Sequence, residues 1–355
     1  MEGKHVVLIT GAAGYVGTML ALRFSKRPDV GRVIGIDKEP CPDLLRKMPD
    51  YIHFTTNTDD DWEGEVRAYK PDVIVHTAWQ IRELYGAQDM EWDWNIGGSD
   101  KVFEYVFDPK NDVARMVHFS TVASYGAYPG NSVEYLFTEE DPFRKMEYLY
   151  AEEKRIAEEH LKERYEKSDK RVQVAIVRPA AITGPRGRFM RVRFGLQSTL
   201  AGQMKGGIYS VVSALVSFVP VTPKWLRQFV HEDDVVNIVE KLAFDSLPFK
   251  YEAFNLCPPG AVVRGTDMAK AVGKHVLPVY PWMVRIPFFF FWHATRGKIS
   301  TGKGAWKSYS YPIAVDGSKV MRMLGYNYVY SSLDAFHYTN GEYEQFVPEP
   351  LRNHQ

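Results

Sequence analysis

Short apolar runs alternate with helix-like segments along the first half of the chain. Because the runs are continuous rather than alternating, they are typical of strands covered by helices on both faces of a sheet. The strands are predicted at 5–10, 32–36, 51–55, 72–77, 114–120 and 172–177. The helices between them are predicted at about 15–27, 62–70, 94–107 and 149–167. This order predicts repeated βαβ units and therefore an α/β fold with a Rossmann-type, doubly wound parallel sheet.

The regular alternation ends after Pro179. Glycines, prolines and basic residues lead into a less regular region, where further helices are predicted at 232–246, 264–275 and 332–345. We expect residues 1–182 to form the Rossmann domain. Residues 183–355 are expected to form a smaller C-terminal α/β region that is partly interwoven with the first domain.

The composition limits the class of protein. Of the 355 residues, 45% are hydrophobic, and 44 Lys and Arg balance 44 Asp and Glu. A net charge of zero argues against a broad electrostatic surface for nucleic acid or an anionic membrane. Cys41 and Cys257 cannot form a disulfide framework, which fits a reducing cytoplasm. The first residues lack a signal-peptide pattern, and we expect a cytoplasmic protein without a transmembrane segment.

Two apolar segments, 208–223 and 282–292, are shorter than a membrane-spanning helix requires. The first is interrupted by serines and prolines, and the second contains Arg285 and Pro287. We expect both segments to form buried or substrate-lining surface. An interfacial membrane contact is the less favoured alternative, because neither segment carries a basic polar face of its own.

A glycine-rich turn follows the first predicted strand. The sequence TGAAGYVG places Gly11, Gly14 and Gly17 between a strand and a helix, and Asp37 ends the second strand. This spacing lets the backbone approach a pyrophosphate at a helix N-terminus, while the acidic side chain accepts hydrogen bonds from a ribose diol. A carboxylate there repels a 2′-phosphate, so the pattern favours NAD over NADP, although Lys38 could soften that repulsion.

A tyrosine and a lysine, Tyr150 and Lys154, lie one turn apart on the helix predicted at 149–167. A dehydrogenase needs a base for the hydroxyl proton of an alcohol, and tyrosine at its ordinary pKa of about 10 is a poor one. A neighbouring ammonium and oxidised nicotinamide lower that pKa. The strand before this helix ends in Ser120 and Thr121, whose hydroxyls could orient the substrate oxygen. A solvated helix crossed by ion pairs is the structural alternative.

Several motifs in this order resemble the extended short-chain dehydrogenase/reductase family of NAD-dependent epimerases and dehydratases. TGAAGYVG resembles the family's TGxxGxxG, VIVHTAW its VVHLAA and NIGGSDKVFEYV its NVxGTxNVLEA. FSTVASYG resembles the strand end before the catalytic hydroxyl, and YAEEK the YxxxK pair. VRPAAITGP and RQFVHEDDVV resemble RPxxVYGP and RDFVHVDDVA. The resemblance covers most of residues 5–260.

The resemblance implies a site assembled from these motifs. It implies Thr121, Tyr150 and Lys154 as the catalytic set, with NAD as the cofactor. Its implied cofactor-binding residues are Gly11, Ala13, Gly14, Tyr15, Val16, Gly17, Asp37, Lys38, Asn57, Thr58, Thr77, Ala78, Trp79, Asn95, Ser120, Tyr150, Lys154, Pro179, Ala181 and Ile182. Its implied substrate-binding residues are Thr121, Trp79 and Arg227, the arginine matching one that clamps a substrate diphosphate.

Departures from the family pattern leave the substrate open. Val122 and Ala123 follow Thr121 where dehydratases usually carry an acid, which disfavours elimination chemistry. Ala181 stands where nucleotide-sugar enzymes commonly have an asparagine, and the aromatic segment 282–292 does not call for a polar sugar nucleotide. A sugar-nucleotide epimerase is the first hypothesis, and a dehydrogenase or reductase of a hydrophobic alcohol or ketone follows closely. A non-catalytic dinucleotide-binding sensor is the third, although such relatives typically lose the Tyr/Lys pair.

The sequence also bears on partners and on metal binding. The helices at 94–107 and 149–167 match those through which family members often form a homodimer. His76, His118 and His231 lie in or near apolar strands without Cys or carboxylate at metal-ligand spacing, so we expect no metal site. The HEDD string at 231–234 is expected to cap the helix from about 233, with its carboxylates at the positive end of that helix. The arginine cluster at 186–193 could meet phosphates or form a solvated loop.

Overall fold

A single parallel sheet organises the computed structural model, which describes residues 3–190, 218–271 and 273–354. Thirteen strands occur in these residues. They are β1 (His5–Thr10), β2 (Val30–Asp37), β3 (Tyr51–Thr55), β4 (Val73–His76), β5 (Arg115–Phe119), β6 (Gln173–Pro179), β7 (Ala181–Thr183), β8 (Phe218–Val221), β9 (Leu226–Arg227), β10 (Phe229–His231), β11 (Tyr251–Leu256), β12 (Val263–Arg264) and β13 (His275–Pro278). Seven of them form the central sheet in the order β11-β6-β5-β4-β1-β2-β3, with every neighbouring pair parallel. This arrangement confirms the predicted Rossmann-type fold.

Helices cover both faces of the sheet, as the continuous hydrophobic strands require. The helices are α1 (Tyr15–Phe24), α2 (Asp43–Arg46), α3 (Glu63–Arg67), α4 (Gln88–Trp92), α5 (Gly98–Phe107), α6 (Leu149–Lys167), α7 (Pro185–Met190), α8 (Glu232–Phe244), α9 (Gly265–Ala271), α10 (Pro281–Ala294), α11 (Ala305–Ser308), α12 (Ser318–Leu324) and α13 (Ser332–His337). A π-helical turn, Asp93–Gly97, joins α4 to α5, and 3₁₀ turns span Val122–Tyr125, Glu344–Phe346 and Glu349–Leu351.

Two hydrophobic layers hold these helices against the sheet. On one side, Met19 and Phe24 of α1 pack with Val236 of α8 and with alternate residues of the strands. On the other side, Phe103 of α5 and Leu161 of α6 pack against the remaining strand residues. Both layers are almost completely buried. Because the central strands are covered on both faces, their residues are hydrophobic on both faces.

The strand β11 was absent from the predicted strands. It pairs with β6 from Tyr251 opposite Val174 to Leu256 opposite Pro179 and completes one edge of the sheet. Its sequence YEAFNL contains two polar residues, so it lacks the continuous hydrophobic pattern of the other strands. The sheet therefore draws its last strand from far beyond residue 182.

Short strand pairs and helices build the rest of the C-terminal region. The pairs are β7 with β10, β9 with β12 and β8 with β13. The helix predicted at 332–345 is shorter, ending at His337, and helix α10 was not predicted. Among the described residues, no helix combines the length and the hydrophobicity needed to cross a bilayer.

Candidate functional site

The carboxyl ends of β1, β2, β4, β5 and β6 open onto one cleft at the edge of the sheet. This is the edge at which open α/β sheets bind ligands. The glycine-rich turn follows β1, Asp37 ends β2, and Thr77 to Trp79 follow β4. The fold thus brings together residues that are far apart in the sequence.

The glycine turn has no room for side chains at two positions. Gly11 has a φ of +75°, and a Cβ added there would lie 2.6 Å from the backbone nitrogen of Ala78. A Cβ on Gly17 would lie 2.1 Å from the carbonyl oxygen of Gly11. Gly14 is the N-cap residue of helix α1 and has no side chain. The first N–H groups of the helix therefore receive no hydrogen bond from the cap residue and can bind a ligand. These features fit the pyrophosphate of a dinucleotide.

Asp37 is held in place at the end of β2. Its carboxylate accepts hydrogen bonds from the backbone N–H groups of Ala13 and Glu39, each at 2.9 Å. Burial raises the pKa of Asp37, and the two N–H bonds oppose that rise. Lys38 turns its ammonium towards Gln80, at 3.2 Å, and lies 4.1 Å from the centre of the Trp94 ring. The Asp37 carboxylate is therefore not in ion-pair contact with this lysine, which suits recognition of a ribose diol.

Nearly all of the residues assigned to the cofactor line this cleft, which we call the dinucleotide cleft. Ala181 is the exception, since it lines an adjoining cleft instead. Other residues of the lining were not predicted from the sequence, namely Ile36, Glu39, Thr56, Gln80, Ile81, Trp94 and Phe119. Most of them are sequence neighbours of predicted residues at strand ends. They could therefore have been predicted by including the residues on either side of each strand end.

Helix α6 presents Tyr150 and Lys154 to the cleft. The Lys154 side chain is buried, and its Nζ donates a hydrogen bond to the carbonyl oxygen of Phe119 at 2.5 Å. The same Nζ lies 3.5 Å from the centre of the Trp79 ring. Burial lowers the pKa of Lys154, and the carboxylates of Glu153 and Glu158 oppose this by favouring the ammonium. The predicted alternative, a solvated position on a charged helix, does not describe this lysine.

Asn95 ties the loop after β4 to helix α6 from within the π-helical turn. Its Oδ1 accepts from the backbone N–H of Gln80 at 2.7 Å, and its Nδ2 donates to the Gln80 carbonyl at 3.1 Å. Nδ2 also donates to Glu153 at 2.7 Å. The residue before Lys154 is thereby fixed against the loop that lines the cleft.

An adjoining cleft, which we call the substrate cleft, shares Ile81, Tyr150, Pro179 and Ile182 with the first. Thr121 and Arg227 line it, whereas Trp79 lines only the dinucleotide cleft. Its remaining lining comes from residues that the sequence analysis did not assign to substrate. They are Val122, Ala123, Tyr148, Ala180, Ala181, Leu226, Gln228, Ser300, Ala305, Ser308, Tyr309, Tyr311 and Ile313.

Arg227 supplies the positive charge of the substrate cleft. The guanidinium carbon lies 5.6 Å from the centre of the Tyr309 ring and 5.9 Å from that of Trp225. Among the described residues, no carboxylate lies within ion-pair distance of it. Burial raises the pKa of the neighbouring Tyr148, which keeps that phenol protonated. The cleft therefore combines an aromatic wall with a guanidinium that can meet an anion.

His76 and His231 have hydrogen-bond partners. The buried His118 stacks on His76, with ring centres 5.3 Å apart, and neither of its ring nitrogens has a hydrogen-bond partner among the described residues. His76 shares hydrogen bonds with the hydroxyls of Thr10, at 2.6 Å, and Ser99, at 2.9 Å. Burial and the nearby Lys154 lower the pKa of His76 to about 3, and similar causes lower that of His118. Across the described residues, no three His, Cys, Asp or Glu side chains are placed to hold a metal ion.

The HEDD string at 231–234 caps helix α8, as predicted, and its three carboxylates lie in the first turn. His231 caps α8, because its Nδ1 accepts from the backbone N–H of Asp233 at 3.1 Å. Glu232 instead accepts from the N–H groups of Arg186 and Gly187 and from the hydroxyl of Tyr15. Glu232 and Asp234 accept hydrogen bonds from residues that are distant in the sequence, because the N-terminus of α8 is buried inside the protein. Of the arginine cluster at 186–193, Arg191 and Arg193 lie outside the described residues.

The expectation for the apolar segment 282–292 is wrong. It forms most of helix α10, lines neither cleft and exposes most of its side chains. Only Phe288 and Trp292 of this helix are buried. Of the segment 208–223, residues 208–217 lie outside the described residues. The residues that follow them, Phe218–Val221, form strand β8.

The chain is similar to known proteins along most of its length. The NAD dependent epimerase/dehydratase family matches residues 7–257. The N-acetyl-α-D-glucosaminyl-diphospho-ditrans,octacis-undecaprenol 4-epimerase of Escherichia coli O157:H7 is 27% identical over 249 residues, covering 70% of this chain and 66% of that protein. An uncharacterized protein of Mycobacterium tuberculosis is 23% identical over 339 residues, covering 93% and 82%.

Solved structures share the fold at low identity. The UDP-glucose 4-epimerase of Thermotoga maritima, determined with UDP-glucose, has a TM-score of 0.68 and 17% identity, covering 96% of this chain and 98% of that one. The Bordetella bronchiseptica enzyme WbmG in complex with NAD has a TM-score of 0.67 and 20% identity, covering 94% and 92%.

Proposed function

The chain belongs to the NAD-dependent epimerase/dehydratase family, and from this membership we propose that it transfers a hydride at a secondary alcohol of a diphosphate-linked sugar. Membership confirms the resemblance drawn from the motifs and the assignment of NAD as cofactor. The reaction that we favour is epimerisation, in which a transient ketone is reduced on its opposite face without net use of the cofactor.

One observation carries the proposal: Tyr150 lines both clefts. On one side of it lie the glycine turn and Asp37, and on the other side lie Thr121 and Arg227. A base that must act on a substrate while a hydride moves to a cofactor has to reach both ligands. The position of Tyr150 in both linings supports this role.

The side chains divide the work of this reaction. NAD bound in the dinucleotide cleft would supply the acceptor and the donor of the hydride. Tyr150 takes the proton of the substrate hydroxyl, and Thr121 donates a hydrogen bond that orients the substrate oxygen. The Lys154 ammonium stabilises the phenolate of Tyr150, and Asn95 with Glu153 positions the helix that carries both.

Arg227 supports a substrate with a diphosphate. A half-buried guanidinium without a carboxylate partner among the described residues is suited to phosphate oxygens, which it binds as a planar fork. The named relatives act on or were determined with diphosphate sugars, one carried on a nucleoside and one on a polyprenol. The diphosphate is the chemistry that these two substrates share.

A hydrophobic alcohol or ketone is the second candidate. The apolar and aromatic lining of the substrate cleft, which includes Ile81, Leu226 and Ile313, favours it. The aromatic segment 282–292 no longer does, because it lines neither cleft. For this substrate the ketone or alcohol would be released, with net change of the cofactor.

The decisive experiment incubates the protein and NAD with UDP-, GDP- and dTDP-hexoses, a polyprenyl-diphosphate sugar and a panel of apolar alcohols. Isomerised sugar without net NADH would support epimerisation, and stoichiometric NADH from an apolar alcohol would support the second candidate. NAD binding without turnover of any substrate would favour a non-catalytic sensor. The variant Arg227→Gln separates the first two, since only a diphosphate substrate should depend on the guanidinium.

A further inference from the structure

Helix α10 exposes its hydrophobic side chains to solvent. Trp282 is 62% exposed, Phe289 68% and Phe290 64%, and Ile286 is similarly accessible. Residues spaced by three and four positions share one side of a helix, so Trp282, Ile286 and Phe289 form a continuous apolar stripe. Scattered exposed hydrophobic residues are ordinary, but a contiguous aromatic patch marks an interaction surface.

The opposite side of α10 fixes the helix to the protein. Phe288 packs edge-on against Tyr309, with ring centres 5.0 Å apart, and Trp292 packs against Tyr85 at 5.4 Å. The hydroxyl of Thr301 donates to the Phe288 carbonyl at 2.8 Å. The helix is therefore held rigidly by a narrow set of contacts while its aromatic stripe faces outward.

The sequence around α10 is strongly basic, although the whole chain is neutral. Between Met268 and Val315 there are seven Lys and Arg residues and no Asp or Glu. Arg285 on the helix and Arg296 and Lys298 just after it are exposed. Within the described ranges, none of these three cations forms an ion pair with a carboxylate. Lys307 pairs with Glu147 from another segment, so the local cationic surface consists of Arg285, Arg296 and Lys298.

We propose that α10 docks on the surface of an anionic lipid bilayer. The aromatic stripe enters the boundary between headgroups and acyl chains, where Trp and Phe side chains are favoured. The basic residues that flank it meet the lipid phosphates, as juxtamembrane cations do. With 14 residues the helix lies along the membrane surface rather than across it.

The charge pattern selects the bilayer over a second copy of the chain. A two-fold dimer through this face would set the same acid-free segment of each copy against the other. Like charges would then face one another with no carboxylate of that segment to compensate them. An anionic bilayer presents the opposite charge together with an apolar interior.

Docking through α10 brings the membrane close to the substrate cleft. Tyr309, which packs on Phe288, lines that cleft, as do Ser300 and Ala305 from the segment that follows the helix. One aromatic contact therefore separates the membrane-facing helix from the wall of the site. The docking itself needs no catalytic activity, so it can be tested apart from the proposed reaction.

The test is sedimentation of the full-length protein with vesicles of phosphatidylcholine alone or of an equal mixture with phosphatidylglycerol. We expect binding to the mixed vesicles, weakened by salt, and little binding to neutral ones. The triple variant Ile286→Ser, Phe289→Ser and Phe290→Ser should lose at least about tenfold in the partition coefficient, because it removes the inserted side chains. In the double variant Arg296→Gln and Lys298→Gln, the partition coefficient should fall about fivefold for each charge removed, and binding should depend less on salt.

A matched control replaces exposed apolar residues elsewhere. Tyr135→Ser and Val329→Ser, at positions that are 57% and 66% exposed, should leave vesicle binding unchanged. Titration with NAD verifies that every variant is folded. Absence of wild-type binding to anionic vesicles, or undiminished binding by the triple variant, would overturn the proposal. So would a self-association that the triple variant abolishes while vesicles bind neither protein.

Discussion

The two clefts that meet at Tyr150 are built in different ways. The dinucleotide cleft is formed by residues at the ends of successive strands, each within a few positions of a motif. The substrate cleft takes Thr121 and Arg227 from motifs, but its residues between 300 and 313 come from a segment without one. The dinucleotide cleft can therefore be recognised from local sequence, whereas part of the substrate cleft depends on packing between distant segments.

The polar groups of the clefts differ in the same way. In the dinucleotide cleft, Asp37 and Asn95 are already held by hydrogen bonds from the backbone. In the substrate cleft, the Arg227 guanidinium lies beside two aromatic rings and forms no ion pair within the described part of the chain. A preorganised site suits one constant ligand, and an unpaired cation beside aromatic rings suits a ligand that supplies its own anion.

The strongest test of Tyr150 as the proposed base is the variant Tyr150→Phe. It should lower kcat about 10²–10⁴-fold, because a positioned proton acceptor is lost, while NAD binding remains. Steady-state kinetics and calorimetric titration with NAD measure the two effects. Tyr135→Phe, at an exposed tyrosine distant from both linings, serves as the control. Full activity of Tyr150→Phe would remove this residue from the mechanism.

Gly17→Ala tests the dinucleotide cleft alone. The added methyl would lie 2.1 Å from the Gly11 carbonyl oxygen, so strand and helix must separate. We expect loss of NAD binding and a decrease of about 1–3 kcal/mol in the free energy of unfolding. Gly64→Ala on α3, where an added Cβ meets nothing within 4 Å, should be neutral or stabilising by up to about 1 kcal/mol. Unchanged NAD affinity in Gly17→Ala would refute this account of the turn.

Arg227→Gln tests the substrate cleft alone. Loss of the charged hydrogen bonds to a diphosphate should raise KM about 10–100-fold, corresponding to about 1.5–3 kcal/mol, with NAD affinity unchanged. Arg227→Lys should recover only part of the loss, because an ammonium cannot make the planar two-point contact. If KM for a diphosphate sugar did not change, the guanidinium would have no part in binding it.

Sequence predicted the dinucleotide cleft well because its determinants are steric and local. Glycines where a Cβ cannot fit, and a carboxylate at a strand end, can be recognised without knowing the rest of the fold. Tyr148 and Tyr309 could not be found in this way, since their positions in the substrate cleft follow from packing between distant segments. Strand β11 was missed because Glu252 and Asn255 interrupt its hydrophobic pattern. The exposure of α10 was missed because hydrophobicity does not say which face of a helix is covered.

The smallest effect concerns a buried carboxylate beside the clefts. Burial raises the pKa of Glu91 to about 7, opposed by a hydrogen bond from the Leu84 N–H and reinforced by Glu153 and Glu83. Because its pKa is higher in the folded than in the unfolded protein, its contribution to stability is present at low pH and is lost as the pH rises through about 7. Glu91→Gln should therefore be more stable than wild type by about 1 kcal/mol at about pH 8, with no gain near about pH 4. Urea denaturation across this range measures the difference, and a pH-independent difference would contradict the assignment.

The late position of β11 has a consequence for synthesis of the protein. Because β11 pairs with β6, the sheet keeps an open edge at β6 until residues 251–256 have left the ribosome. The nascent chain must protect the unpaired N–H and C=O groups of β6 during that interval, or fold its first half reversibly. A nascent chain stalled before Tyr251 should therefore bind chaperones. A longer nascent chain, from which Leu256 has emerged from the ribosome, should bind them less.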